Sequence, residues 1–151
     1  MKLLGITAAV LAVVAPAFAY SKTYFLTYDS FYDDGHTSLA DVTCSHGEHG
    51  LLTHGYTTFD SLPSYPYIGA APQISGTDSK YCGSCWEITH TDSYGASTSV
   101  NFTAVDAGED GSDDFSISLE GMDYLTHGLA REIGLVSIIV TRKSPKACHL
   151  D

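Results

Sequence analysis

The chain has 151 residues, with 18 Asp and Glu against 7 Lys and Arg, a formal net charge of −11. Such a field repels a phosphate backbone and anionic lipid headgroups alike, which argues against nucleic acid and membrane surfaces as partners. The length suits a single hydrophobic core.

Lys2 precedes an apolar run from Leu3 to Val14 and then Pro16-Ala17-Phe18-Ala19. A basic start, a hydrophobic stretch and a small-x-small site read as a secretion signal, and the run is short for a membrane span. Cleavage after Ala19 is expected: residues 1–19 are the signal, and residues 20–151 form one extracellular domain. Tyr20 to Leu26 read as a loose extension. A first strand is expected near Phe25 to Tyr32, stopped by Asp33-Asp34-Gly35. Val42 and Cys44 lead into a Gly- and His-rich loop. Thr57 to Leu62 predict one short helical turn ended by Pro63. Between Leu62 and Ser79, Pro63, Pro66, Gly69, Pro72 and Gly76 read as an ordered loop.

Trp86 and Ile88 then alternate with Glu87 and Thr89, and Val100, Phe102 and Ala104 with Asn101, Thr103 and Val105. With Asp92-Ser93-Tyr94-Gly95 between them, the two runs predict a hairpin. A Gly- and Asp-rich loop, Gly108 to Asp114, precedes the one good helix candidate. There Leu119, Met122 and Leu125 fall three apart and Gly128 supplies a stop. The β-branched run from Leu135 to Arg142 suits a buried strand. Short strands with irregular loops suggest a small sandwich or barrel, and the barrel is favoured because closure leaves no strand edge.

The cysteines are Cys44, Cys82, Cys85 and Cys148. An even count in an exported chain reads as a disulfide framework, with three possible connectivities. Joining Cys82 to Cys85 would form the tight ring of a redox centre, which usually sits beside a βαβ unit that this pattern lacks. A structural pairing sends the two to different partners. Cys44 with Cys82 and Cys85 with Cys148 is the pairing favoured: the first pins the Pro/Gly loop, the second ties the C-terminus to the middle of the domain.

Other chemistry is sparse. His46-Gly47-Glu48-His49 lacks the His-Glu-x-x-His spacing and is flanked by glycine, so it reads as a turn with surface histidines and no metal. There is no Gly-x-Ser-x-Gly and no phosphate-binding loop, and no cofactor is expected. Asp106 ends the run Val100 to Val105 and precedes Ala107-Gly108, a place from which a carboxylate either faces a groove or caps a loop. Tyr28, Tyr32, Tyr65 and Tyr67 lie in polar surroundings, where a ring can stack on a sugar face while its hydroxyl bonds, although any one of them is more often half-buried packing than a ligand platform. Asn101-Phe102-Thr103 is an N-glycosylation sequon, with Asn101 on the face opposite Val100 and Phe102.

Taken in order, Tyr28-Asp29, Cys44-Ser45-His46-Gly47-Glu48-His49-Gly50-Leu51, Asp78-Ser79, Cys82-Gly83-Ser84-Cys85-Trp86, Val105-Asp106 and the C-terminal cysteine make a pattern. With it, the whole mature chain resembles the cerato-platanin family of small secreted fungal proteins. The resemblance implies an all-β fold with one or two short helices, a single six-stranded double-psi β-barrel similar to one domain of expansins, and the two disulfides favoured above. It implies no dependable hydrolase activity. The partners it implies are chitin or N-acetylglucosamine oligomers or another cell-wall polysaccharide, a host receptor, and further copies of the chain. It links such proteins to surface activity, weak non-hydrolytic loosening of cellulose and elicitation of plant defence.

Mapped through matching motifs, the implied ligand-binding residues are Tyr28, Asp29, Asp78 and Asp106. Ser116 stands in Phe115-Ser116-Ile117 where many members have Phe-Asn-Ile or Phe-Asn-Val, so a hydroxyl with shorter reach replaces an amide. The expected function is non-catalytic carbohydrate binding outside the cell or in the wall. The alternatives are a glycan-cleaving or wall-loosening protein of expansin-like type, for which no His-Phe-Asp triplet is found, and a purely surface-active protein.

Overall fold

The computed structural model describes residues 22–109 and 112–150. The expected signal, residues 1–19, lies outside the described residues. Six strands close into one barrel: β1 (Thr23–Tyr28), β2 (Ile68–Ala71), β3 (Cys85–Thr91), β4 (Ser97–Ala107), β5 (Phe115–Ile117) and β6 (Val136–Lys143). Around the barrel they run β1-β5-β2-β4-β3-β6. Two short helices, α1 (Leu119–Thr126) and α2 (Ala130–Ile133), join β5 to β6. No helix among the described residues is long and apolar enough to cross a membrane.

The β3–β4 hairpin forms where alternation predicted it, in register from Cys85↔Thr103 to Thr91↔Ser97. Its turn is held by the Asp92 carboxylate, which accepts from the Tyr94 and Ala96 N–H groups at 2.8 and 2.9 Å. Asp and Gly suit this turn because one bonds its own backbone and the other tolerates positive φ; Gly95 sits at φ 84°. Inside the barrel, Leu26, Ile68, Ile88, Phe102, Phe115 and Ile117 are fully buried. Phe115 is the hub: Tyr24, Trp86 and Phe102 meet it edge-on at centroid distances of 5.4, 5.9 and 5.9 Å, the geometry that aromatic quadrupoles favour.

Helix α1 forms where the spacing of Leu119, Met122 and Leu125 predicts it. Ser118 caps it by accepting from Gly121 N–H, and the Asp33 carboxylate accepts from the Leu119 and Glu120 N–H groups at 2.8 and 2.9 Å. A negative charge there also complements the helix dipole. His127 in the left-handed region and then Gly128 end it. Both disulfides take the expected pairing, Cys44–Cys82 and Cys85–Cys148.

Four expectations need correction. Residues Thr23 to Leu26 are not a loose extension: they pair with Ile139 to Val136 of β6. Strand β1 stops at Tyr28, not Tyr32, because Asp29 accepts from Phe31 N–H and starts a 3-10 turn over Ser30–Asp33. The Pro/Gly stretch after Leu62 is not wholly loop, since β2 lies within it and is buried at all four positions. Thr103 and Val105, expected on the outer face of β4, are fully buried. There Cys44 N–H donates to the Val105 carbonyl, and the Ser64 hydroxyl donates to Thr103 Oγ1, so the segments before and after Cys44 cover that face.

Candidate functional site

Register builds the site. Thr27 of β1 pairs with Ser116 of β5, Ser116 with Ala70 of β2, and Ala70 with Asp106 of β4. In β1 and β5 the inward positions Leu26, Phe115 and Ile117 are buried, so Thr27 and Ser116 point out. Three small side chains side by side leave a trough. It has a volume of about 350 Å³ and is floored by Thr27, Ser116, Ala70 and Ala107. Tyr28, Asp29 and Tyr32 line it from the chain that leaves β1, and Gly108, Glu109, Ser112 and Asp114 from the loop between β4 and β5.

The lining is rich in acceptors. Asp29, Glu109 and Asp114 are its charged groups among the described residues. One oxygen of Asp29 is taken by Phe31 N–H at 2.8 Å, which leaves the other for a ligand hydroxyl. Among the described residues the Ser116 hydroxyl makes no hydrogen bond to protein, although it lines the groove.

Asp106 is placed differently. It lies at the end of the row but behind the groove wall, and its carboxylate is a strut. Oδ1 accepts from Thr43 N–H at 3.0 Å, Thr43 Oγ1 at 2.5 Å and Ala107 N–H at 2.9 Å. Oδ2 accepts from the Tyr32 phenol at 3.2 Å. Burial, and after it the charge of Asp106, push the Tyr32 phenol far above its usual pKa, so it stays a donor. Asp106 thus ties β4 to the segment entering Cys44 and to the groove wall. Replacing Asp106 with Asn keeps the shape but removes a charged acceptor and turns one acceptor into a donor. We expect a loss of about 1.5–3 kcal/mol, read as a lower thermal midpoint; an unchanged midpoint would refute the strut.

Asp78 lies elsewhere. It has φ 64°, and its Oδ1 accepts from His49 N–H at 2.7 Å with His49 Nδ1 at 3.2 Å. The His49 N–H holds its carboxyl below the ordinary carboxylate range. Gly47 makes room for it: a Cβ there would come within 2.4 Å of Asp78 Cγ. The structure therefore gathers Tyr28, Asp29 and Ser116 in one groove, sets Asp106 behind it, and joins Asp78 to His49 across two loops. His46 is an exposed turn residue.

Of the floor residues, Thr27 and Ala70 are absent from the sequence reading, and Ala107 enters it only as the residue after Asp106. Their contribution is small size, which forms no motif. Only the register through β2 reveals it, and β2 itself carries no alternation.

Comparison with known proteins places these features. The family model described as Cerato-platanin matches residues 25–150. The heat-stable 19 kDa antigen of Coccidioides immitis is 36% identical over 146 residues, covering 97% of this chain and 94% of that protein. The crystal structure of cerato-platanin 2 from M. perniciosa superposes with a TM-score of 0.79 at 33% identity, over 85% of this chain and all (100%) of that one. The solution structure of the fungal elicitor Cerato-Platanin gives a TM-score of 0.69 at 30% identity, over 82% and 95% of the two chains.

Proposed function

We propose that this chain, which belongs to the cerato-platanin family, is a secreted protein that binds N-acetylglucosamine oligomers of a cell wall in its groove without cleaving them. The observation that carries the reading is the row Thr27, Ser116 and Ala70, with Tyr28 and Asp29 beside it. Methyl groups and a free hydroxyl on the floor suit a sugar ring, and carboxylates at the rim suit its hydroxyls. A half-buried tyrosine offers an amphipathic ring. The similarity to a protein described as a fungal elicitor supports a role outside the producing cell.

Asp106 is not available for cleavage. Hydrolysis of a glycosidic bond usually needs one carboxyl group as proton donor and another as base or nucleophile. Asp106, at the strand end next to the groove, has both oxygens occupied by protein donors. Affinity is expected to be weak, because the groove, at about 350 Å³, is small for a ligand pocket and mostly polar.

Titration with chitin tetramer, followed by NMR, tests the reading. Amide shifts should centre on Thr27, Tyr28, Asp29 and Ser116. Asp29→Ala should weaken binding about tenfold or more, the worth of one hydrogen bond to a charged group. Ser116→Asn should tighten it about 2- to 10-fold by adding an amide. No shifts in the groove would overturn the proposal. Release of shorter oligomers by the purified protein would establish the enzymatic alternative, and lowered surface tension without sugar binding would establish the interfacial one.

A further inference from the structure

We propose that Asn101 carries an N-linked glycan whose first N-acetylglucosamine rests in a second cleft, beside Tyr65 and Tyr67. The sequon residues are Asn101, Phe102 and Thr103. In the folded chain Phe102 and Thr103 are fully buried, and Thr103 Oγ1 accepts from the Ser64 hydroxyl at 2.6 Å. A transferase must hold the sequon in an open conformation, so the reaction belongs to the unfolded chain. What the folded structure has to provide is room for the product.

It provides room and a seat. Asn101 is exposed on the outer face of β4. Its side chain lines a cleft of about 250 Å³ whose other members include Tyr65, Tyr67, Ala147 and His149. None of these residues lines the groove at Ser116. Tyr65 and Tyr67 are half-buried and line the cleft, and an amphipathic ring in such a place can pack against the C–H groups of a sugar. Directly across from Asn101 on β3 stands Glu87, which is turned to Lys143 at 3.1 Å and leaves the cleft clear.

The chemistry also fits the hydrogen bonding. The donor is an oligosaccharide linked through its first sugar to a lipid pyrophosphate. Nδ2 of Asn101 attacks C1 of that sugar; the Nδ2–C1 bond forms and the C1–O bond breaks. The pyrophosphate leaves with the electron pair, and Nδ2 gives up one proton to a base of the transferase. The product is a secondary amide that retains one N–H. Asn101 now uses a single N–H, donated from Nδ2 to the Ala147 carbonyl at 2.9 Å. Modification therefore leaves the amide with the number of donors that the fold employs.

The inference depends on export through a glycosylating compartment and not on what the groove binds. The full chain is produced in a yeast host, once with its own leader and once behind a leader that the host is known to secrete. Medium and cell extract are both analysed by peptide mass mapping, with and without an amidase that releases N-glycans. The expected result is a hexosamine-containing glycan on the Asn101 peptide, conversion of Asn101 to Asp by the amidase, and loss of the glycan in N101Q. Seating of the sugar predicts that the glycosylated protein melts roughly 2–5 °C above N101Q, and that Tyr67→Ala narrows this gap. Protein bearing unmodified Asn101 behind the host leader would overturn the modification. A glycan whose stabilisation is indifferent to Tyr67→Ala would overturn its place in the cleft. Retention with the native leader, beside secretion and modification with the host leader, would defeat the export reading alone.

Discussion

Replacing Cys85 and Cys148 together by alanine should lower the unfolding free energy by about 4 kcal/mol. The bridge spans 63 residues, and the entropy that the unfolded chain regains when such a loop is opened rises only slowly with its length. Cys44–Cys82, spanning 38 residues, comes out at nearly the same figure, roughly 4 kcal/mol. Local structure separates the two. Cys148 ends a 3-10 turn over Pro145–Cys148 that covers β3 and β4, and Leu150 beyond it is buried. Cutting this bridge also frees that cover, so its loss should exceed that of the other bridge. Against a typical stability of about 5–15 kcal/mol, either change is a large fraction. Urea unfolding of the two double variants measures both. Equal midpoints for wild type and the Cys85/Cys148 variant would show that the barrel holds without the bridge.

Gly69→Ala should do comparable damage by a different route. A Cβ on Gly69 would lie 2.0 Å from the Ser116 carbonyl oxygen, 2.9 Å from Ser116 C and 3.0 Å from Ile117 Cα. All three are backbone atoms of β5, and no rotamer change relieves them. Gly69 pairs with Ile117 on one side and Ala104 on the other, so β2 cannot retreat without pressing on β4. Overpacking in a tolerant core costs about 1–3 kcal/mol; with backbone on both sides we expect 3 kcal/mol or more. Because β5 carries Ser116, any folded fraction should also bind chitin tetramer less well. Gly76→Ala is the control for backbone strain alone, since its φ of 149° lies near the 159° of Gly69 while a Cβ there meets nothing within 4 Å. The check is the thermal midpoint of both variants; Gly69→Ala melting with wild type would show that β2 and β5 are farther apart than described.

These two sites also show what the sequence discloses. The hairpin was legible because β3 and β4 bury one face more than the other over most of their paired length, which writes alternation into the chain. Helix α1 was legible because Leu119, Met122 and Leu125 recur at helical spacing and Gly128 supplies a stop. Strand β2 was not. Ile68, Gly69, Ala70 and Ala71 are buried on both faces between parallel and antiparallel neighbours, so nothing alternates, and Pro66 and Pro72 on either side imitate a loop. Strand β5 has only three residues, Phe115–Ile117, too few to show a period. The groove inherited that blindness: Tyr28, Asp29 and Ser116 could be named from motifs, but Thr27 and Ala70 join them only through register. Asp78 and Asp106 shared the motifs without sharing the groove, because matching a pattern says that a carboxylate is used, not whether protein or ligand uses it.

The first strand has an unusual debt to the rest of the chain. β1 joins β5 on one side and β6 on the other, through pairs such as Leu26↔Phe115 and Thr23↔Ile139. During synthesis it emerges before either neighbour exists and waits for more than a hundred residues, from Thr23 to Ile139, before its ladder can finish. Closure is therefore a late, long-range event, of the kind that makes barrels fold in milliseconds to seconds rather than microseconds. A nascent chain arrested before Val136 should leave β1 without its β6 partner, and so remain open to proteases that the finished domain resists.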